Sequence, residues 1–218
     1  MKGPVPDRSV GPRLVSGPKA TVVTPTIANW RASMRAWIDI YDTTTNSTRV
    51  VAKANLPLQS PIWAPDGKTL LTTANGTLYR VGIEGPSPAL KQMHIKGLHS
   101  LGNDRGYSPD GSLLAITDKS QSGKAAIYVV ARDQPAGRPV TGPRSWFHGW
   151  SPDGGKIVYS CLRSGLWSIA TCTLQDATEH LLIQSAPGSR HVYDGPEFTP
   201  DGTWIWFNSN RSGPMALW

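Results

Sequence analysis

The chain has 218 residues, 22 of them Gly and 19 Pro, and no apolar stretch reaches membrane-spanning length. That size and turn-rich composition suit one large all-β domain or two small ones, and exclude a bundle of membrane helices. Formal net charge is +7, but no three basic residues stand in a row, so neither a specific nucleic-acid partner nor a membrane surface is expected.

Residues 1–29 are rich in Pro and Gly and show little periodicity, which predicts an N-terminal arm of low order with one short strand at 20–24. The start, Met1-Lys2-Gly3-Pro4-Val5-Pro6, has no apolar signal core. Read literally the chain is cytoplasmic; with an incomplete N-terminus it is periplasmic or secreted. Ala36 to Asp42 alternates like a half-buried strand and Arg49 to Ala52 is its partner, so 34–58 reads as a partial blade, an outer half without an inner strand.

From Trp63 a turn recurs. It reads Trp63-Ala64-Pro65-Asp66-Gly67, Tyr107-Ser108-Pro109-Asp110-Gly111, Trp150-Ser151-Pro152-Asp153-Gly154 and Phe198-Thr199-Pro200-Asp201-Gly202. The Asp positions step by 44, 43 and 48 residues, a period at which β-propeller blades repeat. Each copy follows an aromatic and precedes an apolar run, such as Leu113 to Ile116 or Trp204 to Phe207. Pro sets the φ of a type I turn, Gly lets the chain leave it, and the side-chain oxygens can hold the backbone. Asp66, Asp110, Asp153 and Asp201 are therefore structural. The near-continuous apolar runs suit strands covered on both faces, as neighbouring blades cover each other.

The blades read as 59–97, 102–141 and 145–186, followed by a partial blade at 192–218, all within a propeller domain spanning 30–218. The fold class is all-β: a β-propeller of four-stranded antiparallel blades, about four to five present. The run Met215 to Trp218 stops in mid-strand, which points to a fragment of a six-bladed ring; a closed ring of about five is the alternative. Cys161 and Cys172 fall on two arms of one hairpin turning at Arg163-Ser164-Gly165. In that register Cys161 faces Trp167 and Cys172 faces Lys156, too far apart for a disulfide.

Segments before the turn are inner strands, and there the repeats diverge. Two positions before the aromatic stand Pro61, Arg105, His148 and Pro196. Asn103, Asp104, Arg105, His148, Asp194 and Glu197 thus gather at one end of the channel as candidate ligand-binding residues. Arg105 beside Trp146 and Trp150 suits an anionic or sugar-like ligand. The competing reading makes these charges inter-blade pairs that close the ring. No residue is assigned a catalytic or metal-binding role and no cofactor is expected: only His148 of five histidines points inward, and Gly-x-Ser-x-Gly, Cys-x-x-Cys and phosphate-loop motifs are missing.

Asn208-Ser209-Asn210-Arg211-Ser212-Gly213 and Ser160-Cys161-Leu162-Arg163-Ser164-Gly165, with Ile127-Tyr128 and Ile40-Tyr41, complete a pattern that resembles the TolB-type propeller family over 36–218. The resemblance implies a WD-repeat-like propeller that binds a protein, peptide or carbohydrate at the channel mouth. TolB itself is periplasmic and carries an extra N-terminal α/β domain, which this sequence does not show. Related propellers serve as oligogalacturonate lyases or sit beside peptidase domains, so an enzyme with acid/base groups in the channel is the alternative. The histidine cluster with which the lyases hold a divalent metal is not reproduced here.

Overall fold

The computed structural model describes residues 21–28, 35–84, 89–132, 134 and 136–218, the first of these as backbone only. Among them there is no helix, and eighteen strands form five antiparallel meanders. The first sheet holds β1 (Thr21–Ala28), β2 (Arg35–Asp42) and β3 (Ser47–Ala54). The second holds β4 (Gln59–Trp63), β5 (Thr69–Ala74), β6 (Thr77–Gly82) and β7 (Lys91–Met93). In the third are β8 (Leu101–Tyr107), β9 (Leu113–Asp118), β10 (Ala126–Ala131) and β11 (Gly137–Pro139). The fourth comprises β12 (Ser145–Trp150), β13 (Lys156–Arg163), β14 (Leu166–Thr173) and β15 (Thr178–Gln184). The fifth comprises β16 (Tyr193–Phe198), β17 (Ile205–Ser209) and β18 (Ala216–Leu217).

The first strand of each sheet packs on the first strand of the next, β1 on β4, β4 on β8, β8 on β12 and β12 on β16. These are inner strands around a common axis. The sequence reading leaves the first sheet without one; β1 supplies it, pairing with β2 from Thr21↔Asp42 to Ala28↔Arg35. The short strand expected at 20–24 thus extends to Ala28, because tertiary pairing overrides a weak local signal. The rest of the expected arm, 1–20, lies outside the described residues.

Alternation places one row of each sheet against its predecessor and the other row against its successor. Ile38 and Val51 meet Leu58 and Leu70 between the first two sheets. Leu71 and Leu78 meet Ile116 and Tyr128 between the second and third. Ile127 and Phe147 pack with Ile157 and Tyr159 between the third and fourth. Val158 and Ile169 pack with Tyr193 and Phe207 between the fourth and fifth. Each fully buried side chain of this size contributes roughly 1.5–3 kcal/mol relative to exposure. Among the described residues no such cluster joins the fifth sheet to the first.

The four repeated turns lie at equivalent places. Ser108 Oγ donates to Asp110 Oδ1 at 2.5 Å and accepts from the Leu113 N–H, while Asp110 accepts from the Ser112 N–H. Ser151 with Asp153 and Thr199 with Asp201 repeat this. In the second sheet Ala64 has no hydroxyl, and Asp66 instead takes Arg80 Nη2 at 2.6 Å. Gly67, Gly111, Gly154 and Gly202 all have φ between +62° and +73°. Successive turns also touch: a Cβ at Gly111 would lie 2.6 Å from Pro65, and one at Gly202 would lie 3.4 Å from Pro152. Glycine is needed there for room as well as for φ.

The cysteine hairpin departs from expectation by one residue. Arg163 pairs with Leu166 across a two-residue turn in which Ser164 has φ +53° and Gly165 φ +79°, so Cys161 faces Ser168 and Cys172 faces Ile157. Two consecutive positive φ values make a type I′ turn, which the strand twist favours over a three-residue loop. Both thiols are free and buried, and burial pushes each up to about 11.

Candidate functional site

Every inner strand bearing the repeated turn bulges just before it. Against β5, residues 60–61 oppose Thr72 alone; against β9, residues 102–104 oppose Thr117 alone. His148 is an extra residue between Phe147 and Gly149, and residues 195–196 oppose Phe207. A bulge bends a strand and re-aims its side chains. All the candidate residues lie in or next to these bulges, so equal offset from the turn does not mean equal direction.

His148 and Asp194 come together from two successive sheets, and Asp104 on the sheet before them lies near enough to feel both charges. His148 Nε2 lies 3.2 Å from Asp194 Oδ1, with the imidazole largely enclosed and the carboxylate exposed. The His148 contact, more than any other, holds Asp194 below the ordinary carboxylate range. Asp104 is displaced the other way. Burial raises it most and the Asp194 charge raises it further, outweighing the pull of His148, Arg105 and Lys119. Two acids and one imidazole feel one another's charges there, and Arg105 and Lys119 act on Asp104 as well.

Arg105 does not join them. It is 6% exposed, and its guanidinium runs into the bulge of the second sheet. Nη2 donates to the carbonyls of Gln59 at 3.2 Å, Ser60 and Leu71, and Nη1 to Thr73 Oγ1 at 3.2 Å and the Asn103 carbonyl. Burial lowers its pKa to about 10, so it remains charged at neutral pH. Asn103 is exposed, but its Oδ1 accepts from Thr73 Oγ1 at 2.9 Å. Glu197 is half-buried opposite Trp206 on β17, and its backbone lies beside Gly149. The anionic ligand expected from Arg105 therefore loses its basis: carbonyl oxygens of the neighbouring sheet already hold the guanidinium.

Sequence reasoning missed Gln59, Ser60 and Thr73, which receive Arg105, and the Trp146–Trp167 contact at 5.3 Å between β12 and β14. Ser60, at φ +47°, carries no sequence signal for that conformation. Among the described residues no three His, Cys, Asp or Glu side chains are disposed to hold a metal. A cleft of about 480 Å³ lies on the first sheet, lined by Arg35, Trp37, Val50 and Lys53 among others.

No protein-family model matches the sequence. An uncharacterised protein of Agrobacterium fabrum is 38% identical over 188 residues, which is 85% of this chain and 62% of the relative. Among solved structures, a TolB candidate from Agrobacterium tumefaciens is 37% identical with a TM-score of 0.76, over 86% of this chain and 66% of that one. TolB from Acinetobacter baumannii, at 22% identity and TM-score 0.63 over 84% of this chain and 46% of that one, shares the fold. So does an oligogalacturonate lyase in complex with manganese, at 19% and 0.68 over 91% and 61%. Radial meanders around inner strands define a β-propeller. This chain is a propeller of the TolB type, and it spans less than two thirds of the length of the relatives it matches.

Proposed function

We propose that the chain is a binding propeller that engages a protein, peptide or carbohydrate partner at the channel mouth, in the periplasm or outside the cell. The supporting observation is the contact of His148 and Asp194 from consecutive inner strands, Nε2 at 3.2 Å from Oδ1, with Asp104 within reach of both charges. Residues far apart in sequence are held there by bulges, and an exposed carboxylate is left at the surface. With Arg105 spent on carbonyls, the group favours a cationic or hydroxyl-rich moiety over an anion. Asn103 and Glu197 belong to the same mouth, as flanking polar contacts. No helix among the described residues is long and apolar enough to cross a membrane. The cytoplasmic placement suggested by the first residues gains no support from the TolB likeness, which favours the periplasm.

The lyase or peptidase-associated reading is second, since nothing beyond the shared fold favours it. The test is calorimetry with basic peptides, neutral oligosaccharides and acidic oligosaccharides against the parent, His148→Ala and Asp194→Asn. Binding of a basic or neutral ligand that both substitutions weaken at least about tenfold is expected. Binding that survives both would place recognition on the outer strands. Preference for the acidic oligosaccharide, with its cleavage, would restore the lyase reading.

A further inference from the structure

The sequence holds no basic run, yet the fold gathers cations at one end of the molecule. Lys96, Arg144 and Arg190 stand 48 and 46 residues apart, about one blade each. Each lies in the segment that leads into an inner strand, β8, β12 or β16. Lys119 and Lys124 lie in the loop between β9 and β10, and all five cations are exposed. Strands of a meander alternate in direction, so these segments share the end opposite the Pro-Asp-Gly turns. Hydrogen bonds tie neighbouring segments together. The Lys119 N–H donates to the Ser100 carbonyl at 3.1 Å and the Ser145 N–H to the Ala125 carbonyl at 3.0 Å. Gln121 Nε2 donates to the Gly97 carbonyl at 2.9 Å.

The fold does not use these charges. Arg80 is paired with Asp66 and Arg163 with Glu179, whereas none of the five pairs with a carboxylate among the described residues. Asp118, at the start of the β9–β10 loop, is buried, and its oxygens accept the Ser100 and Ser120 N–H groups. Asp104 and Asp194 sit differently: they lie on inner strands, nearest the axis, and the Asp194 side chain is 63% exposed. Lys119 is close enough to act on Asp104. The same end thus carries carboxylates toward the axis and cations in the surrounding loops.

We propose that the partner of this end is a polypeptide segment of mixed charge, one cationic side chain seated at Asp194 and Asp104 with acidic residues on either side of it against Lys119, Arg144 and Arg190. This rests on reading the channel mouth as the binding site, and it names the partner's chemistry. A polyanion such as an acidic polysaccharide would bring its charge onto Asp194, and a wholly basic segment would bring its charge onto the loops. A polypeptide can place both signs within a few residues, and such complementarity suppresses wrong partners as well as favouring the right one.

Fluorescence anisotropy of the full chain with labelled peptides of equal length tests this. One peptide has a central lysine flanked on both sides by glutamates, one has serines for the glutamates, and one has serine for the lysine. The first is expected to bind at least about tenfold more tightly than either other, an advantage that added salt erodes. Lys119→Glu and Arg144→Glu are each expected to weaken the first peptide and spare the serine-flanked one. Asp194→Asn is expected to remove the preference for the central lysine. Far-UV circular dichroism checks the fold, and Lys119→Gln with Arg144→Gln replaces the pair should a charge reversal fail to fold. Equal binding with and without the glutamates would overturn the proposal and leave the mouth standing as a site for cations. Equal binding with and without the lysine, unmoved by Asp194→Asn, would overturn the mouth as well. Binding of a neutral oligosaccharide in place of all three peptides would overturn the polypeptide partner and keep the mouth.

Discussion

The four Pro-Asp-Gly turns and the four bulged stretches just upstream of them lie a few residues apart on the same inner strands, yet they behave oppositely. The turns are interchangeable: the same carboxylate accepts the same backbone N–H, and each glycine has a φ near +70°. The bulges are not. One holds Arg105's acceptors, one supplies Arg105, one presents His148 and one presents Asp194. Turns satisfy a local requirement that every blade shares. Bulges face the axis, where each blade meets different neighbours, so they are free to diverge.

The largest expected effect breaks the divergent side. Arg105→Met should lower stability by about 3–5 kcal/mol, because it removes several charge-assisted hydrogen bonds at once, to the Gln59, Ser60 and Leu71 carbonyls and to Thr73 Oγ1. Urea unfolding checks it, and Arg105→Lys should recover only part of the loss, since an ammonium cannot reproduce the fork. Next, the turns can be made unequal. Gly111→Ala should cost about 2–4 kcal/mol, combining left-handed strain with a collision against Pro65. Gly67→Ala, with nothing within 4 Å, should cost about 1 kcal/mol. Equal losses at the two sites would mean that the turns do not pack on one another.

Acid separates Asp104 from the turn aspartates by sign. The Ser108 hydroxyl, first among its partners, holds Asp110 down to about 2, and the Thr199 hydroxyl does the same for Asp201. A lowered carboxylate stabilises the fold above its unfolded value of about 3.9, and that contribution is lost as pH falls toward 2. Asp104 is raised instead, so the native state binds its proton more readily than the unfolded chain does. Its penalty grows as pH rises through the raised value and vanishes in acid. Asp104→Asn should therefore be neutral or stabilising at pH 7 and lose that advantage at low pH, whereas Asp110→Asn should destabilise at pH 7 and matter least near pH 2. Parallel thermal melts from pH 7 to 2 test the contrast. The smallest effect sharpens the likeness of the turns: Ala64→Ser should add the missing hydroxyl contact and gain about 0.5 kcal/mol, visible as a small rise in Tm.

Much of the architecture was legible in the chain because its causes are local. Pro, Asp and Gly at fixed offsets dictate a turn wherever they stand, and the apolar runs after them have the length of a strand. Asn75-Gly76 turns between Ala74 and Thr77 as that dipeptide should. The strand Thr21–Ala28 was less legible, since its sequence is unremarkable and its place is set by pairing with β2 and packing on β4. At the site, the sequence pointed to the correct stretch but not to the directions of its side chains. Aligning Arg105 with His148 assumes an unbroken period of two, and each bulge breaks that period by at least one residue.

By itself, then, the sequence determined a repeat of about four to five blades with its turns on one face, through chemistry contained within a few neighbouring residues. The tertiary structure alone decided that Arg105 is a bolt between sheets while His148 meets Asp194. Arg105 finds its acceptors 45 and 46 residues back, on backbone carbonyls that every sequence possesses and that only the bulge of β4 turns toward it.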